Sequence, residues 1–177
     1  MSDPQPQTDA PEPLAQWAHA HGRAVRGYIL GMVRRGDVAD DLAQETFRRA
    51  WQARQRYREN GTARAYLLRI ADRLACDWLR RAGREMTVPE PQWQQLEPVA
   101  VAPGPEEQLE RDEARQRLAE ALEELSPPQR RVLLLRYYGE FDFATIAQMM
   151  GCPLNTALSH CRRGLTALRN LMPEDVP

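Results

Sequence analysis

Acidic and amide side chains at helical spacing near residue 41 predict a binding surface. Asp41, Gln44 and Glu45 occupy positions i, i+3 and i+4, so they share one face of a helix. Asp37 and Asp40 precede them and suit the start of that helix, where carboxylates stabilise free N–H groups and the helix dipole. Glu45 lies beyond the first turn, so the dipole does not account for it. The face is either solvated surface or a docking surface for a basic protein.

Basic side chains predict a second binding surface further along the chain. Arg69, Arg73 and Arg80 project away from an apolar stripe at helical spacing. Residues 23–84 contain 15 arginines and 7 acidic residues, whereas residues 85–125 contain 3 arginines and 11 acidic residues. A solvated charged face is the simpler interpretation, but internal pairing cannot use up this local surplus. The surplus favours binding to phosphates with release of counterions.

No set of residues has the arrangement of an active site. The N-terminal histidines lack a nearby nucleophile pattern, and no glycine loop for phosphates is present. Cys76, Cys152 and Cys161 form no CxxC pair. Cys152, His160 and Cys161 suggest a metal or redox sensor, but adjacent helical side chains point about 100 degrees apart. We therefore favour core packing for Cys152 and Cys161, and expect no catalytic residues, metal or cofactor.

The elements that position these residues are predicted to be helices in two small domains. Apolar residues recur at helical spacing, and five prolines fall between residues 83 and 105. We predict an all-α chain with four segments: a disordered tail (1–13), a helical domain (14–84), a flexible, acidic, Pro-rich linker (85–105) and a second helical domain (106–177). No apolar run approaches the roughly 20 residues that span a bilayer, and the N-terminus lacks a signal-peptide core. A soluble cytoplasmic protein without direct membrane insertion is expected.

Start and stop signals predict where individual helices lie. Asp37 is predicted to cap the second helix, and Ser126, followed by proline, to cap a helix in the second domain. Asp142 is predicted to cap a short helix that ends in a turn at Gly151, before a longer helix over residues 154–171. This order is typical of a helix-turn-helix, whose second helix enters the major groove.

Aromatic residues accompany the basic segment. Trp51 and Trp78 are predicted to lie in the core. Tyr57 and Tyr66 flank a polar loop, residues 58–64, and either of them is a candidate for stacking on displaced bases.

Two sets of motifs resemble the bacterial RNA polymerase sigma factors, most closely the extracytoplasmic-function (ECF) subfamily. The motifs that resemble region two are DVADDLAQETF at 37–47, AW at 50–51, AYLLRIA at 65–71 and DWLRR at 77–81. The motifs that resemble region four are LSPPQRRVLLLR at 125–136, IA at 146–147, Gly151 and NT at 155–156. Two sets in this order are more specific than a single helix-turn-helix.

The resemblance implies three surfaces and a set of partners. Core RNA polymerase would contact Asp37, Asp40, Asp41, Gln44, Glu45 and Phe47. The minus-ten element of promoter DNA, with its unpaired non-template strand, would contact Asn60, Arg64, Tyr66, Arg69, Arg73, Arg80 and Arg81. The double-stranded minus-thirty-five element would contact Asn155, Thr156, Ser159, His160, Arg162 and Arg163. An anti-sigma factor is a further expected partner, which would clamp the two domains.

The chain departs from the family pattern at several positions. Arg73 replaces a usual Asn, Leu158 and His160 replace usual basic residues, and Leu165 replaces a usual Arg. The substitutions at Leu158 and His160 keep open the interpretation as an interaction module without DNA binding. A second alternative is a repressor or activator that binds duplex DNA alone through residues 143–171, which would leave the Asp41, Gln44 and Glu45 face without a role.

Overall fold

In the computed structural model, which describes residues 12–54, 63–83 and 105–172, helices account for all regular structure. The helices are α1 (Glu12–Val33), α2 (Gly36–Gln52), α3 (Ala63–Ala82), α4 (Pro105–Glu123), α5 (Pro127–Leu133), α6 (Phe143–Met150) and α7 (Leu154–Leu171). Helix α5 continues directly into a π-helical turn, Leu134–Tyr138. The all-α prediction is confirmed. Throughout the described ranges, every helix is too short or too polar to traverse a lipid bilayer.

Helix α2 begins two residues earlier than its sequence signals predict. Arg35, in an extended conformation, is the N-cap, and Asp37 is already the second residue of the helix. The prediction that Asp37 caps α2 is wrong, because its carboxylate pairs with the guanidinium of Arg35 instead. The negative charge still lies in the first turn, where the helix dipole favours it.

The starts of the later helices follow the sequence signals. Ser126 precedes Pro127, the first residue of α5, and the Ser126 amide donates to the side-chain oxygen of Gln129 at 3.1 Å. Asp142 accepts a hydrogen bond from the Thr145 amide at 2.9 Å. Gly151 ends α6 in the left-handed conformation, with φ of 63°. These three predictions are confirmed, and they produce a helix-turn-helix from α6 and α7.

The N-terminal domain consists of α1, α2 and α3, which pack against one another. Val25 and Ile29 of α1 and Leu67, Leu68 and Ala71 of α3 are fully buried at its centre. These positions recur every three or four residues, so each helix turns one apolar stripe inward.

The C-terminal domain consists of α4 to α7. Val132, Leu135 and Ile146 are fully buried, and Cys161 of α7 is buried beside them. Gly164 lets α7 approach α5 closely, since a β-carbon there would lie 3.0 Å from the Leu133 side chain. Helix α7 is thereby held with its opposite side in solvent.

The two domains pack against each other, which the sequence alone does not indicate. Helix α1 contacts α5 and the π-helical turn, and one continuous cluster of buried side chains includes residues of both domains. The approach is close: a β-carbon at Gly31 would lie 3.0 Å from Leu134. We call this arrangement the closed state.

Two predictions for core tryptophans have different outcomes. Trp78 is half-buried and packs against the core, as predicted. Trp51 is not in the core cluster: its ring is half-exposed, and the guanidinium of Arg54 lies 3.9 Å from the ring centroid. A cation–π contact at the end of α2 therefore covers this ring, and the core prediction for Trp51 is wrong.

Several predicted segments lie wholly or mostly outside the described residues. Of the predicted tail, only Glu12 and Pro13 are described, and they belong to α1. Of the predicted linker, only Pro105 is described, and it is the first residue of α4. Tyr57 and Asn60 also lie outside the described residues.

Candidate nucleic-acid interface

Asp41, Gln44 and Glu45 form one face of α2, which we call the acidic face. Asp41 and Gln44 are exposed, and Glu45 is partly exposed. The Glu45 carboxylate accepts hydrogen bonds from Arg48 at 2.5 Å and from Arg49 at 2.7 Å. These bonds lower the pKa of Glu45 to about 2, so it is ionised at neutral pH. The acidic face is therefore exposed and anionic, but two arginines already screen part of its charge.

The other α2 residues predicted to contact the polymerase have partners inside the chain. The Asp40 carboxylate accepts from Arg26 Nε of α1 at 2.6 Å, which joins α1 to α2. A hydrogen bond from Arg35 holds the pKa of Asp37 below its ordinary value. Phe47 is half-buried and packs against the core. Asp40 and Phe47 thus also stabilise the domain.

Arg64, Arg69, Arg73, Arg80 and Arg81 lie along α3, and we call this set the arginine face. Arg69, Arg73, Arg80 and Arg81 are exposed, whereas Arg64 is half-buried. Asp77, which lies among them, accepts a hydrogen bond from Arg80 at 2.7 Å. One acid among these residues leaves a net positive surface.

Tyr66, which was a candidate for stacking on bases, packs within the N-terminal domain. Its ring meets Trp17 of α1 edge to face, with 6.2 Å between the centroids. The residue is half-buried. Stacking on a base would use the ring surface that this contact leaves open.

In the closed state the C-terminal domain covers part of the arginine face. Arg64 donates from Nη1 to Glu140 at 3.0 Å and from Nη2 to the Tyr138 carbonyl at 2.5 Å. The guanidinium of Arg69 lies 5.8 Å from the centroid of Phe141. Two residues predicted to bind DNA are therefore held by the segment Tyr138–Phe141, which we call the contact loop.

A buried carboxylate on α3 joins the domains below the arginine face. Asp72 is 2% exposed and accepts from Tyr28 Oη at 2.7 Å and from Arg131 Nε and Nη2 at 2.8 and 2.7 Å. Arg131 Nη2 also donates to the Met149 carbonyl at 2.7 Å. The bond is bidentate and links α1, α3, α5 and α6.

Protonation states in this network follow from burial and charge. Burial, and then the Asp72 carboxylate, raise the pKa of Tyr28 well above its ordinary value, so the hydroxyl stays protonated and donates. Burial lowers the pKa of Arg131, but the bonds to Asp72 outweigh it and raise the pKa overall. Both donors are therefore present at neutral pH.

A cleft of about 510 Å³ opens beside this network, between α3 and α6. Arg69, Arg73 and Arg80 line it on the α3 side, with Thr145 and Gln148 of α6 opposite. Three arginines of the arginine face therefore lie across the cleft from the first helix of the helix-turn-helix.

Helix α7 presents a polar outer face opposite its buried stripe of Ala157, Cys161 and Gly164. The predicted minus-thirty-five residues on α7 differ in exposure. Four are exposed and two are half-buried: Asn155, Ser159, Arg162 and Arg163 are exposed, and Thr156 and His160 are half-buried. At 100 degrees per residue, Asn155, Ser159 and Arg162 fall on the side away from the core. Thr156 and His160 lie towards one flank.

Four leucines that recur at helical spacing along α7 differ in burial. Leu168 packs against the core, whereas Leu154, Leu158 and Leu165 are 46%, 40% and 41% exposed. Leu158, which stands where a basic residue is usual, is therefore in solvent beside the polar outer face. It offers an apolar contact and no charge.

Among the described residues, no group of three or more His, Cys, Asp or Glu residues could hold a metal ion. All three cysteines are free. Cys161 is buried, as predicted, and Cys152 is half-buried against the core. Burial raises the pKa of Cys161, which makes its thiol a poor nucleophile.

Sequence reasoning missed the residues that join the domains: Tyr28, Asp72, Arg131, Tyr138, Glu140 and Phe141. One signal was available, because Asp72 lies four residues after Leu68 and directly after Ala71, on the apolar stripe of α3. An acidic residue at a core position requires a buried partner. The position of Asp72 in the sequence does not identify that partner.

Known proteins match both domains. The family model of sigma-70 region 2 matches residues 17–85, and that of sigma-70 region 4 matches residues 115–168. The RNA polymerase sigma factor CarQ of Myxococcus xanthus is 30% identical over 161 residues, which cover 87% of this chain and 86% of CarQ. The ECF RNA polymerase sigma factor SigK of Mycobacterium tuberculosis strain H37Rv is 26% identical, covering 84% of this chain and 79% of SigK.

Solved structures match the fold. The sigma factor RpoE, in complex with the anti-sigma factor NepR from Bartonella quintana, superimposes with a TM-score of 0.69 at 24% identity, covering 92% of this chain and 98% of RpoE. CnrH, in complex with the cytosolic domain of CnrY, gives 0.59 at 21% identity, covering 92% of this chain and 89% of CnrH.

Proposed function

Because this chain belongs to the ECF group of RNA polymerase sigma factors, we propose that it binds core RNA polymerase and places it on a subset of promoters. Sigma factors are initiation factors without enzymatic activity, so the chemistry of RNA synthesis belongs to the polymerase. The site of action would be the bacterial cytoplasm, where polymerase and promoters meet.

The observation that carries this proposal is that one chain has two separate surfaces with exposed arginines. Helix α3 carries the arginine face, and α7 carries Arg162 and Arg163 on its exposed side. Phosphates bound at both surfaces would release counterions, which favours binding at low salt. We assign the arginine face, with Tyr66, to the minus-ten element and the outer face of α7 to the minus-thirty-five element.

The acidic face of α2 is the proposed contact with core polymerase. The acidic face lies on α2 and the arginine face on α3, so polymerase and DNA would bind different surfaces. Asp41 and Gln44 are exposed, and Glu45 stays ionised at neutral pH. A basic surface on the polymerase would displace Arg48 from Glu45 and form new pairs.

An anti-sigma factor is the proposed regulator. Of two structures that share this fold, the sigma factor RpoE is in complex with the anti-sigma factor NepR, and CnrH is in complex with the cytosolic domain of CnrY. In this chain the domains already touch, so a protein that contacts both would need to add little surface to hold them together. Affinity purification with the intact chain as bait would identify that protein.

Transcription with purified components tests the proposal. Core polymerase from the source bacterium is mixed with fragments of its genome, with and without this chain, and RNA 5′ ends are sequenced. We expect new discrete start sites, each preceded by the same pair of sequence elements. A repressor or interaction module would produce none, and that result would overturn the proposal.

A further inference from the structure

The contact loop holds two arginines through two kinds of contact. Its Glu140 carboxylate pairs with Arg64, and its Tyr138 carbonyl accepts a second bond from the same guanidinium. Its Phe141 ring faces the guanidinium of Arg69. The centroid of the Tyr138 ring lies 5.9 Å from the guanidinium carbon of Arg64. An anionic oxygen and flat rings are what a DNA strand offers an arginine, through its phosphates and bases.

The backbone of the loop is unusual where it delivers the carboxylate. Glu140 has φ of 59°, in the left-handed region that non-glycine residues seldom occupy. Arg34, at φ of 63°, is the other such residue in the described ranges, and it pairs with Glu123 at 2.8 Å across the same domain boundary. Both residues with this conformation in the described ranges therefore contribute a side chain to an inter-domain ion pair.

We propose that the contact loop is an internal competitor of promoter DNA, which occupies Arg64 and Arg69 whenever the domains are closed. This inference rests on the proposed function, which assigns those two arginines to the minus-ten element. Glu140 takes the place of a phosphate, and Phe141 takes the place of a base.

The Asp72–Arg131 bond is the lock that keeps the loop in position. Arg131 precedes the π-helical turn that leads into the loop, and its bidentate bond anchors that element to α3. Asp72 is buried, and two of the hydrogen bonds that it accepts come from Arg131, so loss of Arg131 would leave a buried charge poorly compensated. The closed state is thereby favoured until a partner separates the domains.

Promoter geometry explains why the closed state must open. The two elements lie about 25 base pairs apart, which is roughly 85 Å of duplex. A compact protein of this length has a radius of gyration of about 16 Å, too small to reach both. The 21 residues of the predicted linker extend to about 70 Å at most, and the two domains themselves would cover the rest of the separation.

Binding to a single-stranded oligonucleotide of mixed sequence, labelled with fluorescein and followed by anisotropy at low salt, tests the competition. Glu140→Gln should bind about two- to five-fold more tightly than Glu113→Gln, an equal charge change at an exposed position of α4. In an Arg64→Ala background the Glu140→Gln advantage should shrink. Equal affinities for Glu140→Gln and Glu113→Gln would overturn the proposal.

Measuring both DNA binding and promoter-specific transcription separates this proposal from the proposed function. If Arg64→Ala and Arg69→Ala do not weaken DNA binding or promoter-specific transcription, the minus-ten assignment fails, and the competition fails with it. If they weaken both but Glu140→Gln matches Glu113→Gln, the assignment stands and only the competition is overturned.

The thiol of Cys76 reports on the lock, because it lines the cleft beside Asp72 and Arg131. Burial, and then the Asp72 charge, raise its pKa to about 11, whereas the Arg131 charge lowers it. Loss of the Arg131 charge alone would therefore slow alkylation by iodoacetamide, while opening of the domains would speed it. We expect faster labelling of Cys76 in Arg131→Gln, measured by peptide mass spectrometry at constant pH, and slower labelling would overturn the lock. Circular dichroism checks that the variant retains its helices, and Gln116→Glu on exposed α4 is the control for surface charge.

Discussion

Gly27 of α1 and Tyr138 of the π-helical turn meet with no room for another atom. A β-carbon at Gly27 would lie 2.3 Å from the Tyr138 hydroxyl oxygen, well inside the contact distance. The hydroxyl donates to the Arg23 carbonyl at 3.4 Å, and burial raises the pKa of Tyr138. This contact joins the N-terminal domain to the residue that begins the contact loop.

Gly27→Ala is therefore expected to open the closed state. The added methyl group must displace Tyr138, which lies at the domain boundary rather than inside either domain, so each domain should stay folded. Small-angle scattering should show a larger radius of gyration. Gly22→Ala is the matched control, because a β-carbon there meets nothing within 4 Å and alanine favours the helix by up to about 1 kcal/mol. Equal radii for the two variants would contradict the close contact.

Asp41→Arg is expected to weaken binding to core polymerase at least tenfold in surface-plasmon measurements at low ionic strength. Charge reversal at the exposed acidic face turns attraction for a basic partner into repulsion. Glu113→Arg makes the same charge change on α4 and should bind as the unmodified chain does. Unchanged affinity for Asp41→Arg would place the polymerase contact elsewhere.

Arg162→Ala is expected to weaken binding of duplex promoter DNA and to reduce the salt slope of log affinity by about 0.9, the value for one phosphate contact. Arg162 is exposed on the side of α7 away from the core. Arg117→Ala, at an exposed position of α4, should leave the slope unchanged. A slope that does not move for Arg162→Ala would show that this side chain touches no phosphate.

Gly151→Ala is expected to destabilise the C-terminal domain by about 1 kcal/mol, because φ of 63° is costly for residues with a β-carbon. A β-carbon there meets nothing within 4 Å, so backbone conformation is the sole penalty. Gly151→Asn should lose less, since asparagine adopts this conformation more readily. Chemical denaturation of the three proteins measures the order, and equal losses for alanine and asparagine would contradict it.

The cap of α6 should make stability depend on pH. Hydrogen bonds from Thr145 lower the pKa of Asp142 below its ordinary value of 3.8. The folded state therefore favours the ionised form, and the stabilisation is present above about pH 4 and lost as the pH falls further. The difference in Tm between the unmodified chain and Asp142→Ala should shrink between pH 7 and pH 3. Asp142→Asn, which keeps an acceptor but no charge, should show no such change relative to Asp142→Ala.

Much of the local structure was predictable because its causes lie within a few residues. Apolar positions at intervals of three and four define α3 and α7, and Ser126, Asp142 and Gly151 mark helix ends by their own backbone chemistry. Asp37 shows the limit even at this range. Asp37 is the residue type that caps helices, yet the helix begins two residues before the predicted position and the Asp37 carboxylate pairs with Arg35.

The sequence by itself determined the helices, the helix-turn-helix and the segregation of arginines from carboxylates, since each depends on neighbours along the chain. Only the tertiary structure decided that Asp72 meets Arg131, 59 residues away, and that Glu140 meets Arg64, 76 residues away. Long-range pairs of this kind depend on how helices pack, and any of the chain's 24 arginines carries the same charge. Burial and distance, rather than residue type, select the partner.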